Sequence, residues 1–361
     1  MYSRSTNGMK YLKWTWLPVL ATGFGTAIVY THEKDSREVQ VQAKGWKITC
    51  YRTMPLRSFS RAFGWVSTVN LPVWARKPVY STYAKVFSCA LWEAEVEDLN
   101  EYKNLGEFFR RRLKPGIRPI SYESSVVSPA DGTLLNMGKV DIERCTVEQV
   151  KDITYSLPTF LGPPTWKRAQ KFMENTQLCS SLLKKEGTSL YQCVIYLAPG
   201  DYHRFHSPVD CKIYFRRHFS GELFSVNPTI ARWLAGLFAL NERVVYVGEW
   251  EHGFFCFVAV GATNVGSISV YEDKDLMTNR RIMKKDTFVD KEFDPPLTFE
   301  KGDDFGEFNF GSTIIILFEA PTTDFELVPL VGSKIQYGES LFTLLPCRDC
   351  TPDYSEILLL S

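Results

Sequence analysis

Five histidines occur in 361 residues, and two of them share one seven-residue stretch, Asp201-Tyr202-His203-Arg204-Phe205-His206-Ser207. Imidazole is the side chain whose ordinary pKa lies nearest neutrality, so a close pair is a natural proton-transfer element. The pair follows an apolar run at 194–197 and a Pro199-Gly200 turn, the kind of loop that carries working residues on a rigid scaffold. As metal ligands the two would need further partners, and no matched Cys or Glu cluster accompanies them, so no metal is expected. Cys347-Arg348-Asp349-Cys350 is a single C-x-x-C without a second pair and reads as a structural loop.

Two further segments hold chemistry-bearing residues. Ser128-Pro129-Ala130-Asp131-Gly132-Thr133 sets a carboxylate in a tight turn, and Glu307-Phe308-Asn309-Phe310-Gly311-Ser312-Thr313 sets a hydroxyl at the entry of an apolar run. Each alone has a plain structural reading, since Asp-Gly is a common turn and Gly-Ser-Thr a common strand entry. Together, Asp131, His206 and Ser312 are the ingredients of a base-activated hydroxyl with an orienting carboxylate. A membrane-tethered Ser-His-Asp lipid hydrolase is therefore one reading, and a lipid-binding scaffold without catalysis is another.

These residues need a scaffold. After Pro119, β-type runs punctuated by Gly, Pro and Asn predict strands at 190–197, 211–216, 243–250, 254–260, 266–271, 313–318 and 325–330, with a helix near 229–240. There is no fixed-period repeat and no dinucleotide or phosphate-loop glycine pattern, so the last two-thirds is predicted to be a mainly antiparallel β core. Its terminal apolar stretch, 357–360, is expected to pack. Residues 52–112 read differently: Phe59, Phe63, Trp65, Val69 and Leu71-Pro72-Val73-Trp74 lead to Arg76 and Lys77. Such segments fit either an interfacial membrane surface or core helices capped by prolines. Arg110-Arg111-Arg112 with Lys114 reads as a solvated helix end or as an anionic headgroup contact.

The first 13 residues hold Arg4, Lys10 and Lys13 and no acid, and the run from 14 to 30 is uncharged. Its 17 residues sit at the short end of what spans a bilayer, with Trp14, Trp16 and Tyr30 near its ends. A single membrane anchor is expected. Lys+Arg number 42 against 41 Asp+Glu, which removes the bulk electrostatic case for nucleic-acid binding. A 45% hydrophobic content excludes long disorder. Nine cysteines without framework spacing read as mostly reduced thiols in a non-secretory compartment.

The segments SPADG, APGDYHRFHSP and EFNFGST resemble the three signature stretches of phosphatidylserine decarboxylases. LPVWARKPVYSTYAKVF, EAEVEDLNEYKNLGEFFRRRLKPGIRPI, SGELFSVNP, ALNERVV, FVAVGATNVGSI and KGDDFGEFNFGST resemble the mitochondrial branch, in the family's order across roughly residues 55–345. The resemblance implies an α+β protein: a targeting segment and transmembrane anchor at 1–36, a helical membrane-apposed region at 37–118, and a β-rich catalytic domain at 119–361. It implies self-cleavage between Gly311 and Ser312 into β (1–311) and α (312–361) chains, with Ser312 converted to a covalent pyruvoyl group and no pyridoxal phosphate. His206, oriented by Asp131, would take the Ser312 proton; His203 would assist decarboxylation and protonate the substrate Cα. The substrate would be phosphatidylserine, held through a Schiff base, and the products phosphatidylethanolamine and CO2. The family motif begins Leu-Gly-Ser-Thr where this chain has Phe310, which is expected at worst to slow processing. Partners implied are the bilayer and the chain's own fragments, with a homodimer suggested by the family. The implied location is the mitochondrial inner membrane, single-pass, with the catalytic part facing the intermembrane space.

Overall fold

The computed structural model describes residues 51, 53–150, 153–166, 175–263, 267–280, 287–309, 311–323 and 325–344. The expected anchor at 14–30, Phe310, the Cys347/Cys350 pair and the apolar end at 357–360 lie outside these residues. Among the described residues no helix is long and apolar enough to cross a membrane.

Two helices open the described chain, α1 (Leu56–Ser67) and α2 (Val73–Phe87), each started after a proline, Pro55 and Pro72, that is already pre-set in φ. Left-handed Ser88 ends α2 at φ 56°. The short α3 (Leu105–Phe109) is capped reciprocally: the Asn104 side chain accepts from the Glu107 N–H at 2.9 Å, and the Glu107 carboxylate accepts from the Lys103 N–H at 2.8 Å. Tyr80, Ala84, Tyr102 and Phe108 form the small core that joins α2 to α3.

The β-rich part of the chain is built on an eight-stranded antiparallel sheet. Its order is β11 (Thr287–Phe299), β7 (Cys211–Ser220), β8 (Arg243–Trp250), β9 (Gly253–Val260), β13 (Ser312–Pro321), β5 (Thr188–Leu197), β2 (Gly132–Lys139) and β15 (Lys334–Ile335). Central β9 and β13 are apolar without alternation because both faces are covered. Ile315 and Leu317 point into one core; Ile314, Ile316 and Phe318 point into the other. The first core is closed by α4 (Leu157–Leu161), α5 (Asn175–Leu182), α6 (Pro228–Ala231) and α7 (Leu237–Leu240). The second is closed by a three-stranded sheet of β10 (Ile268–Val270), β12 (Asp304–Phe308) and β6 (Arg204–His206). Strands β1 (Val126–Val127), β16 (Ser340–Leu344) and β14 (Phe325–Leu327) form another small sheet, and β3 (Thr146–Val150) pairs with β4 (Ile153–Ser156).

The α+β class and the antiparallel core agree with the sequence reading, and 243–250 is matched residue for residue by β8. Two details differ. The single helix expected at 229–240 is two one-turn helices, α6 and α7, separated by Gly236 in the left-handed region at φ 72°. The thiols are not all reduced: Cys145 and Cys179 form a disulfide, while Cys89, Cys193, Cys211 and Cys256 are free.

Candidate active site

Antiparallel register gathers the three chemistry-bearing segments at one end of the large sheet. Ser312, the first residue of β13, pairs with Leu197, the last of β5, and Thr133 of β2 pairs with neighbouring Tyr196. Asp131 immediately precedes β2. Gly132 is required here, because a Cβ would meet the Tyr196 carbonyl oxygen at 2.5 Å. Beyond Leu197 the chain turns, with the Asp201 carboxylate accepting from the Ala198 N–H at 2.8 Å. It then returns so that the His203 carbonyl accepts from the Phe308 N–H at 3.0 Å, four residues before Ser312.

Ser312 is fully buried, and its hydroxyl has no hydrogen-bond partner. The position beside Gly311 is open: a Cβ there would meet nothing within 4 Å. His203 is likewise fully buried. Its Nδ1 donates to the Asp201 carbonyl at 2.8 Å, which leaves Nε2 as a lone pair without a partner. Burial pushes its pKa down to about 3, and Arg111 and Lys334 add to the depression. The ring packs 4.0 Å from Phe109 of α3.

His206 is held on every side. Nδ1 donates to the Gly302 carbonyl at 3.2 Å, with Asp304 Oδ1 also at 3.2 Å. Nε2 accepts from the Tyr202 hydroxyl at 3.1 Å, and the Tyr337 ring stacks 3.6 Å away. Burial lowers its pKa to about 4 against the opposing pull of Asp304. Burial also keeps the Tyr202 phenol above its usual range, so Tyr202 remains the donor. Both imidazoles are therefore neutral at pH 7. An unfolded imidazole takes up a proton near 6.5, so this burial favours the fold above that pH and its contribution is lost as pH falls toward 4.

Asp131 lies in the same corner, but no hydrogen bond joins its carboxylate to the His206 ring. Both its oxygens accept from Arg118, at 3.2 and 2.7 Å, and Oδ1 also accepts from the Tyr337 N–H at 2.8 Å. The Pro129 carbonyl accepts from the His206 N–H at 2.8 Å. Asp131 thus meets His206 through Tyr337 and through the backbone of its own turn, at Pro129. Arg118 also bonds both oxygens of Glu93, at 3.1 and 2.7 Å, and so ties the helical region to the β-rich part of the chain.

The basic cluster does not face one environment: Arg112 is exposed, while Arg110 and Arg111 turn to partners within the chain. Arg110 pairs with Glu307 at 2.6 Å, and Arg111 is 4% exposed. Arg118, Tyr337, Glu93 and Asp304 were not singled out by the sequence reading, because each acts through partners remote in the chain. Only Tyr202, inside the histidine segment, carried a local signal.

A family model described as phosphatidylserine decarboxylase matches residues 105–343. The chain is 49% identical over 345 residues to the mitochondrial phosphatidylserine decarboxylase proenzyme of Pongo abelii, covering 90% of this chain and 83% of that protein. It is 38% identical over 383 residues to mitochondrial phosphatidylserine decarboxylase proenzyme 1 of Schizosaccharomyces pombe, covering 87% and 86%. The identity to the Saccharomyces cerevisiae counterpart is 34% over 425 residues, covering 91% and 83%.

Proposed function

Given that the chain belongs to the phosphatidylserine decarboxylase family, we propose that it converts phosphatidylserine to phosphatidylethanolamine and CO2 after cutting itself between Gly311 and Ser312. The observation that carries this reading is Ser312: a fully buried hydroxyl with no partner, directly after a glycine with open space beside it. A buried hydroxyl left unpaired costs stability, so its retention suits a reactive role. The same family assignment favours the decarboxylase over a Ser-His-Asp hydrolase or an unprocessed scaffold.

In the proposed self-cleavage the Ser312 oxygen attacks the Gly311 carbonyl carbon, with His206 taking the hydroxyl proton on Nε2 once the Tyr202 hydroxyl releases that nitrogen. The Gly311–Ser312 C–N bond breaks as the nitrogen gains a proton, leaving an ester. Loss of the Ser312 Cα proton then expels the Gly311 carboxylate, and water removes the nitrogen as ammonia. Asp131 positions His206 through Tyr337. The residues present fit a pyruvoyl group at position 312, since a serine with an unpartnered hydroxyl directly after Gly311 can furnish one once the chain is cut between them. That carbonyl supplies the electron sink that ordinary side chains lack when CO2 leaves an amino acid. His203, whose Nε2 has no partner in the fold, assists decarboxylation and, once that nitrogen carries a proton, delivers it to the substrate Cα after CO2 has left.

The test is mass spectrometry of the wild type beside Ser312→Ala. The wild type is expected to yield fragments 1–311 and 312–361, the second without a free amino terminus, while the variant stays whole. An unbroken wild-type chain that releases CO2 from phosphatidylserine would overturn the mechanism.

The membrane reading extends this proposal. The apolar faces of α1 and α2 are exposed, with Phe59 at 55%, Trp65 at 72% and Trp74 at 82%. Exposed apolar patches of this kind suit a lipid interface better than water. We assign 37–118 to membrane contact and 119–361 to catalysis, with a single-pass anchor before them. The relatives' mitochondrial names support a mitochondrial location, here taken as the inner membrane with the catalytic part in the intermembrane space and the chain as a homodimer. Trp65→Ser with Trp74→Ser is expected to weaken binding to phospholipid vesicles roughly ten- to hundredfold in a sedimentation assay while leaving self-cleavage unchanged.

A further inference from the structure

A cavity of about 230 Å³ opens where the helical region meets the catalytic domain. Its walls carry three cations, Arg111, Arg118 and Lys334, and three carboxylates, Glu93, Asp131 and Asp201. Pairing divides them unevenly. Arg118 serves both Glu93 and Asp131, and Lys334 bonds both oxygens of Asp201 at 2.9 Å. Arg111 is left without a carboxylate. Only its Nη2 is bonded, to the Gly200 carbonyl at 3.1 Å, while Nε and Nη1 are buried without partners.

A guanidinium that is 4% exposed and has two unpartnered nitrogens is costly unless an anion completes it. This one faces a cavity large enough for a headgroup and acts electrostatically on His203, whose pKa it helps to depress. We propose that Arg111 seats an oxyanion of the phospholipid headgroup, and so sets the position of the substrate relative to His203. The inference rests on the decarboxylase reading above. Phosphatidylserine carries two such anions, a carboxylate and a phosphodiester, and either matches a guanidinium.

The experiment is steady-state decarboxylation by wild type, Arg111→Gln and Arg111→Lys, with fragment formation followed in parallel. Expected are normal self-cleavage, a KM for phosphatidylserine raised about ten- to hundredfold in Arg111→Gln, and partial recovery in Arg111→Lys. Inhibition by phosphatidylethanolamine, which keeps the phosphodiester and lacks the carboxylate, separates the sources. If that inhibition weakens by the same factor, Arg111 holds the phosphodiester; if it is unchanged while the phosphatidylserine KM rises, Arg111 holds the carboxylate. Wild-type KM in both processed variants would overturn the inference. Should Arg111→Gln fail to fold, wild type decides: glycerophosphoserine, with both anions and no acyl chains, is expected to compete with phosphatidylserine, and failure to compete overturns the inference. A wild type that is inactive on phosphatidylserine sinks the underlying reading instead.

Discussion

His206→Ala is expected to remain a single uncut chain, whereas His203→Ala is expected to be cut at Gly311–Ser312 and yet to release CO2 about 10²–10⁴ times more slowly than wild type. The two rings differ in what surrounds them. His206 is braced by the Gly302 carbonyl, Asp304, the Tyr202 hydroxyl and the Tyr337 ring, and its backbone N–H donates to the Pro129 carbonyl two residues before Asp131. His203 has one fixed nitrogen, bonded to the Asp201 carbonyl, and one buried lone pair without a partner, with the ring packed beside Phe109. A group held neutral by burial, with its pKa near 3, accepts a proton only from a partner brought against it. Denaturing gels and CO2 release measured on the same preparations check both halves. Uncut His203→Ala beside normally cut His206→Ala would exchange the two roles.

The second large effect is expected at Arg118. Its guanidinium, 6% exposed, joins Glu93 and Asp131, whose side chains are 10% and 11% exposed. Arg118→Leu would leave two carboxylates in a low-dielectric corner without a counter-charge. Breaking a buried ion pair by removing one partner costs roughly 3–5 kcal/mol, and here one residue serves two acids. Urea denaturation should therefore show a loss of at least about 3 kcal/mol, with self-cleavage abolished because Asp131 loses its orientation. Arg118→Lys keeps the charge but not the fork that reaches both acids, and should recover only part of the loss. A loss under about 1 kcal/mol would mean that solvent reaches the corner and screens the pairs.

What was legible in the sequence was what local chemistry dictates. The apolar runs at 243–250, 254–260 and 313–318 had to be strands, because they are too short and too β-branched for buried helices, and they form the centre of the sheet. The histidine pair and the Gly-Ser-Thr entry announced themselves through residue type and spacing. Edge and polar strands did not. The 13-residue β11 carries Asp290, Lys291, Glu292 and Asp294, with Pro295-Pro296 at its irregular stretch, because one side of an edge strand faces water. Residues 204–206 form β6 only because β12 lies beside them.

The sequence by itself determined the candidate groups: a serine after glycine, two imidazoles three residues apart, and a carboxylate before a strand. Only the tertiary structure decided what each one touches. Asp131 is spent on Arg118 and the Tyr337 N–H rather than on an imidazole, and Arg111, the middle of three adjacent arginines, is the one that turns inward without an acid. These outcomes depend on contacts across tens to hundreds of residues, such as Arg110 with Glu307 and Asp131 with Tyr337. Ionic and hydrogen-bond pairing acts over a few ångströms in space and is indifferent to distance along the chain.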